Sequence, residues 1–218
     1  MTAEIKLPRV LDISSLDSIQ KQLAKARSLD KVVIRAYDEN IFCAGADLNL
    51  LLNGQQGDLK RFFYLLGEVL IALWNWNGCV VVEAVGKAVG GGVGFVSVGD
   101  VSIVSSNFCW RLAEVSLGFG PYVIGPFLSH RIGYFKLLDV ALSCRWVNCE
   151  ESITMGLVVP DGGLNEADLS NKWIKTIKKI AKPKVSPKLV KHLAETVSTL
   201  IVSHEVRNGI KRFLESKN

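Results

Sequence analysis

The sequence has no long uninterrupted hydrophobic run, although 49% of its 218 residues are hydrophobic. Its longest uncharged apolar stretch, Val69 to Val82, contains two asparagines and a glycine, whereas a membrane-spanning helix needs about 20 predominantly apolar residues. The first residues also lack the basic segment and the apolar core of a secretory signal. We therefore expect a soluble cytoplasmic protein that is not exported and does not enter a membrane.

Cysteine and histidine are both scarce, with five cysteines and three histidines in the whole sequence. None of the cysteines belongs to a Cys-x-x-Cys motif or to a cluster with histidine: Cys43, Cys79, Cys109, Cys144 and Cys149. Neither a zinc site nor a disulfide framework is indicated, so we predict no metal site. We expect His130 to have a surface or capping role.

Segments with strand character alternate with helical segments, which predicts an α/β protein with a largely parallel sheet. The run from Cys79 to Val85 is nearly all apolar, as in a strand buried on both faces, and we expect Glu83 on an exposed strand face. Only 22% of the residues are charged, and the length suits one main domain with a sizeable core. We place this domain at 1–160 and a C-terminal helical region at 161–218.

Apolar spacing predicts helices over Leu16–Ala26 and Asp58–Trp76. Capping preferences place Ser14 or Ser15 before the first helix and make Asp58 the cap of the second. The polar, glycine-containing stretch Asn53 to Gly57 predicts a mobile loop between them. Near the end of the main domain, a helix is expected up to Met155, with Asn148 as its cap and Gly156 as its terminator.

Three consecutive glycines lie in the segment Ala88-Val-Gly-Gly-Gly-Val-Gly-Phe95, between an apolar strand and an apolar helix. Glycine permits a positive φ and a close approach of the backbone to a ligand. The free amides at a helix start favour an anion, so an oxyanion or a phosphate could bind there. The spacing fits neither a dinucleotide fold nor a P-loop, which favours an oxyanion. Close packing of helix on strand is the alternative explanation.

A second motif, Phe42-Cys-Ala-Gly-Ala-Asp-Leu48, follows the short strand that begins at Val32. Together with the glycine triplet some 45 residues later, it resembles the crotonase (enoyl-CoA hydratase/isomerase) superfamily over about Val32 to Val159. The resemblance implies a crotonase-like ββα superhelix with a C-terminal helical trimerisation region. It also implies an acyl-CoA or acyl-carrier thioester as substrate and a homotrimer or hexamer as the assembly.

The resemblance assigns roles to individual residues. The amides of Ala46 and Gly91 would bind the thioester oxygen as it becomes an enolate, and Glu114 would move the proton. Backbone groups at four positions would hold coenzyme A: Ala44, Ala46, Asp47 and Leu48. Coenzyme A enters as part of the substrate, and no permanently bound cofactor is implied.

One position departs from the family pattern. Hydratases of the family have a second glutamate where this sequence has Gly94. Because moving a proton between two carbons needs only one base, the sequence favours an enoyl-CoA isomerase that uses Glu114 alone. Hydration by Glu114, decarboxylation with Lys87 steering the carboxylate, and an acyl-CoA-binding subunit without catalysis remain alternatives. If space allows, Gly94→Glu should add hydratase activity.

The net charge of +5 comes largely from lysines late in the chain. A solvated helix face is the simplest interpretation, and attraction for the phosphates of coenzyme A is the second. Nucleic-acid binding is not expected, because Trp173 is the only aromatic residue among these lysines. Fatty acid metabolism is the pathway class that the resemblance suggests.

Overall fold

The structure, a computed structural model, describes residues 1–160 and 171–216. Its strands are β1 Thr2–Lys6, β2 Lys31–Arg35, β3 Ile41–Cys43, β4 Cys79–Ala84, β5 Lys87–Val89, β6 Val101–Val104, β7 Cys109–Arg111, β8 Val147–Asn148 and β9 Val159–Pro160. Its helices are α1 Ile13–Lys25, α2 Leu48–Asn53, α3 Gln56–Trp74, α4 Gly91–Val98, α5 Gly125–Ile132, α6 Tyr134–Ser143, α7 Cys149–Met155, α8 Asn171–Ala181, α9 Pro187–Ile201 and α10 His204–Glu215.

The strands form two sheets rather than the single sheet that the alternation suggested. Five strands pair in the order β1-β2-β4-β6-β9, all in parallel. The other four pair in the order β3-β5-β7-β8, where only the last pair is antiparallel. Short strands β3 and β5 each follow a strand of the first sheet, so the chain passes from one sheet to the other before it enters α2 or α4.

The core lies between the sheets and the long helix α3. Ten residues of α3 are buried, among them Phe62, Phe63 and Leu66, and α1 and α9 pack against this helix. Trp74 and Trp76 are 4% and 7% exposed, as expected for packing residues. Glu83 is only partly buried and pairs with Arg35 on the neighbouring strand, so it lies on the accessible face of β4.

The predicted starts of α1 and α3 are wrong by three and two residues, and neither predicted cap residue occupies the N-cap position. Helix α1 is capped by Asp12, whose carboxylate accepts a hydrogen bond from the amide of Ser15 at 2.7 Å. Oγ of Ser15 in turn accepts a hydrogen bond from the amide of Asp12 at 2.9 Å, so Ser15 completes a capping box instead of being the cap. Asp58 lies inside the first turn of α3 and does not cap this helix. At that position its negative charge interacts favourably with the helix dipole.

The predicted mobile loop from Asn53 to Gly57 is also wrong. Helix α2 extends to Asn53 and α3 begins at Gln56, which leaves only two connecting residues. Helix α2 begins where the Asp47 carboxylate accepts from the amide of Asn49 at 2.9 Å. The helix at Cys149–Met155 has Asn148 as its cap and Gly156 as its terminator, as the sequence predicted.

The C-terminal helices pack on the first 160 residues. Helix α9 lies along α3, and α10 contacts α2 and the turn after Glu114. The tail of the sequence predicts helices over 167–180 and 187–201. The start of the first of these helices and the proposed boundary at 160/161 involve residues outside the described ranges. The division into a core and a trimerisation region therefore stays a prediction.

Candidate active site

The glycine triplet forms the turn between β5 and α4. Gly90 has φ of 50°, which favours glycine, and a Cβ atom there would lie 2.9 Å from Oε1 of Glu114. Gly91 is the first residue of α4, so its amide N–H has no acceptor within the helix. The turn therefore leaves a free donor at Gly91, next in sequence to the glycine that lies against the Glu114 carboxyl group.

The Ala-Gly-Ala motif lies against this turn. Gly45 has φ of 82°, and a Cβ atom on it would lie 2.7 Å from the carbonyl oxygen of Val89 and 3.6 Å from the amide nitrogen of Gly91. The backbone on either side of Ala46 is fixed, because Leu11 donates to Gly45 at 2.7 Å and accepts from Asp47 at 2.9 Å. Within the described parts of the chain, the amide of Ala46 itself has no acceptor.

Glu114 is buried, with 9% of its surface exposed, and precedes a short 3-10 helix, Val115–Leu117. Its Oε2 atom has no hydrogen-bond partner among the described residues. Burial raises the pKa of Glu114 to about 7; hydrogen bonds from the local backbone and the charge of Arg111 oppose this shift without cancelling it. An exposed loop acid, the simplest expectation for a lone glutamate, is therefore not what the fold produces.

Ala46, Gly91 and Glu114 line one cavity of about 150 Å³. The walls are otherwise mostly apolar and come from α2, α3, the segment before α5, α9 and α10: Leu51, Phe62, Phe63, Leu66, Tyr122, Ile124, Val197 and Phe213. A buried titratable group that faces free backbone donors across an apolar cavity is the arrangement expected of an active site.

The residues expected to hold coenzyme A divide into two groups. Ala44, Ala46 and Leu48 line the cavity, whereas Asp47 does not and caps α2 instead. The amides of Ala44 and Asp47 are already engaged, the first with the carbonyl of Arg9 at 2.7 Å and the second with that of Leu11. At these two positions only the carbonyl groups could contact a ligand.

A family model for enoyl-CoA hydratase/isomerase matches residues 13–217 of this chain. The chain belongs to this family. The crystal structure of an enoyl-CoA hydratase from Bacillus halodurans superposes with a TM-score of 0.83 at 17% identity, covering 97% of this chain and 96% of that one. The shared fold is therefore the crotonase-like α/β fold.

Two curated relatives of this chain are named as dehydratases. Bacillaene synthase dehydratase PksH of Bacillus subtilis is 30% identical over 131 residues, which are 58% of this chain and 49% of the relative. Carnitinyl-CoA dehydratase of Proteus mirabilis is 30% identical over 132 residues, which are 60% and 50% of the two chains. The alignment spans about half the length of these relatives.

Gly94 differs from the family pattern for a reason that the structure makes clear. A Cβ atom at Gly94 would lie 2.6 Å from Cγ2 of Ile124 and 3.2 Å from Cδ1 of Leu70. The place of a second carboxylate is thus filled by an apolar side chain from the start of α5. The condition of space that Gly94→Glu requires is therefore met only if Ile124 shifts, and the effect of this substitution on hydratase activity stays a prediction.

Two residues near the C-terminus line the cavity although no motif in the sequence indicates them. Phe213 and Val197 reach the cavity from the last two helices.

Lys87, considered for decarboxylation, does not line the cavity, and its Nζ lies 5.8 Å from the centre of the Trp146 ring. His130 is exposed and stacks on Trp74 at 6.0 Å between ring centres.

The described residues contain no group of three or more His, Cys, Asp or Glu side chains arranged to hold a metal ion. In the same part of the chain, no helix is both long enough and apolar enough to cross a membrane.

Proposed function

We propose that this chain is an enoyl-CoA isomerase that moves a double bond from the β,γ to the α,β position of an acyl-CoA or acyl-carrier thioester. The observation that carries the proposal is the single buried carboxylate of Glu114, which shares a cavity with the free amides of Ala46 and Gly91. The substrate brings its own coenzyme A or carrier, and no permanently bound cofactor is needed.

The proposed reaction needs one base and one oxyanion site. The Glu114 carboxylate takes a proton from the α carbon; the electron pair of that C–H bond forms a double bond to the thioester carbon, and the π pair of the C=O bond moves onto the thioester oxygen. The amides of Ala46 and Gly91 stabilise the resulting dienolate, the kind of interaction that is worth about 2.7–4 kcal/mol per donor in other enzymes. The protonated Glu114 then delivers the proton to the γ carbon as the carbonyl reforms.

A pKa of about 7 suits this double role, because a general base works best when its pKa lies near the working pH. A base with a much lower pKa would accept the proton poorly, and one with a much higher pKa would already be protonated.

The cavity also favours a short acyl group. An apolar cavity of similar size in another protein holds one benzene molecule, so about four to six carbons would fit here. The side chains of Phe62 and Ile124 line this space.

Hydration or dehydration is the second candidate, because two relatives are named as dehydratases. Positioning water across a double bond is harder with one carboxylate, and Ile124 occupies the space next to Gly94. Decarboxylation has less support, since no Lys or Arg side chain lines the described cavity. A binding subunit without catalysis would leave the buried charge of Glu114 without a use.

Replacing Glu114 with Gln tests the proposal. The variant keeps the size and polarity of the side chain but removes the base, so isomerisation should fall by about 10²-fold or more. Coenzyme A binding, measured by calorimetry, should be unchanged. Glu150→Gln is the matched control, since Glu150 is exposed on α7.

Wild-type turnover by Glu114→Gln on every enoyl-CoA tested would overturn the one-carboxylate mechanism. Pure thioester binding would be the better interpretation if the wild-type protein turned over none of these thioesters.

A further inference from the structure

A second cavity, of about 390 Å³, lies at the far end of the helices that form the active site. Gly99 and Asp100 follow the last residue of α4, His130 and Arg131 are in the last turn of α5, and Trp74 ends α3. The same three helices, or the residues just before them, contribute Gly91, Ile124 and Phe62 to the first cavity. The described linings of the two cavities have no residue in common.

The charges in this cavity do not balance. Asp100 is the one carboxylate in the described lining, and it accepts from Lys178 at 2.7 Å, from Lys182 at 2.6 Å and from the amide of Val80 at 2.9 Å. Arg131 is a third cation in the lining. Three positive side chains and one negative side chain leave an excess of two positive charges.

One of the three cations has a complete structural role. Lys178 donates to Asp100 and also to the carbonyl oxygens of Trp76 and Gly78, both at 2.9 Å. All three of its N–H groups therefore have acceptors. Lys178 thus links α8 to the segment before β4 by hydrogen bonds, and it needs no further ligand.

The other two cations have donors to spare. Arg131 donates from Nη2 to the carbonyl of Gly99 at 2.8 Å, but its buried Nε has no acceptor among the described residues. Lys182 donates to Asp100, and its Nζ lies 4.3 Å from the centre of the Trp74 ring. Burial lowers the pKa of Lys182 to about 8, and the nearby charges of Lys178 and Arg131 add to this effect against the attraction of Asp100.

We propose that this second cavity binds a phosphate-sized oxyanion between Arg131 and Lys182. A guanidinium and an ammonium with unused N–H groups are the donors that phosphate prefers, and an anion would offset the excess positive charge. The ligand is either free inorganic phosphate or the phosphoryl group of a small molecule. The proposal does not depend on the reaction at Glu114.

Calorimetric titration of the whole protein with sodium phosphate tests the site, with sodium chloride at equal ionic strength as the reference. Phosphate should bind with saturation and chloride should not. Titration with phenyl phosphate separates the two sources, because tighter binding of the ester than of phosphate indicates an organic phosphate and weaker binding indicates the free ion.

Lys182→Met should weaken phosphate binding by about tenfold or more, the effect of losing one charge-assisted contact of ~1.4 kcal/mol. Lys179→Met is the matched control, since Lys179 is exposed one turn earlier and should leave binding unchanged. Equal weakening by both variants would show only a general charge effect and would overturn the proposal.

A measurement on the unaltered protein covers the case in which Lys182→Met does not fold. Phosphate should protect Lys182 from acetylation by acetic anhydride, followed by mass spectrometry, while Lys179 reacts at the same rate with and without phosphate. Absence of saturable binding, or equal reactivity of Lys182 in both conditions, would exclude the site.

Discussion

Glu114 is the residue whose surroundings are hardest to explain by stability alone. Burying an ionised carboxylate without a full set of hydrogen bonds is costly, and Oε2 has no partner among the described residues. Such a group is tolerated where its altered pKa is useful, so strongly shifted carboxyl groups concentrate in functional sites. Gly90 supports this arrangement, since any side chain there would collide with the carboxylate.

The pKa of Glu114 gives the pH dependence of the reaction. The base must be ionised to take a proton, and the ionised fraction rises as pH increases through about 7. The value of kcat/KM should therefore rise tenfold per pH unit well below 7 and level off above it, measured with a 3-enoyl-CoA from pH 5 to 9.

Thioester hydrolysis in buffer, measured without enzyme over the same pH range, is the control for this profile. A profile that is flat from pH 5 to 7, or that falls toward high pH, would mean that Glu114 does not act as the base in the free enzyme.

At the scale of elements, α4 is tightly packed in the core. Its residues from Gly92 to Val98 are all buried, and it packs against α3 and α5. Ile124 leaves no room for a side chain at Gly94, and the carbonyl group of Cys43 leaves none at Gly92. This close packing holds the free amide of Gly91 in place next to the active-site cavity.

Two glycine-to-alanine substitutions should therefore have opposite effects. Gly94→Ala pushes a methyl group to 2.6 Å from Ile124 and should destabilise the protein by about 1–3 kcal/mol, the usual cost of overpacking. Gly57→Ala, at an exposed helical position with nothing within 4 Å, should be neutral or stabilising by about 0.4–1 kcal/mol.

Urea unfolding followed by circular dichroism measures both variants. If Gly94→Ala is as stable as Gly57→Ala, Ile124 can move aside at little cost in free energy. Ile124 would then not close the space for a second carboxylate.

The elements that the sequence predicted are those with a local signal. The buried strand at Cys79 and the helix at Pro187–Ile201 follow directly from apolar patterns. The missed features depend on contacts between distant segments. Nothing near Gly94 in the sequence indicates Ile124, thirty residues later, and nothing in the last helix indicates that Phe213 reaches the cavity.

At the scale of the molecule, we propose that the chain forms the trimer or hexamer that the family resemblance implies, since two of its helices expose apolar side chains. Helix α6 exposes Tyr134 (64% of its surface), Leu138 (40%) and Leu142 (64%) on one face. Phe135, beside them, is 82% exposed. Trp173, Ile177 and Ile180 form a second exposed set on α8. Contiguous apolar patches of this kind often mark contacts between proteins.

Light scattering at micromolar concentration should show a trimer or a hexamer. Phe135→Glu should shift the protein toward monomer, since it places a charge in the proposed contact. Leu189→Glu, which alters an exposed residue of α9, should leave the assembly unchanged. A strictly monomeric wild-type protein would remove this proposal.

The most direct test of the single-carboxylate isomerase is to identify its products. The protein is incubated separately with trans-3-enoyl-CoA and trans-2-enoyl-CoA of about six carbons, the length that suits the cavity, and the thioesters are separated by chromatography. We predict that the 3-enoyl thioester is converted to the 2-enoyl thioester and that no 3-hydroxyacyl thioester forms from either. Formation of a 3-hydroxyacyl thioester from the 2-enoyl substrate, with the 3-enoyl substrate unchanged, would contradict the account.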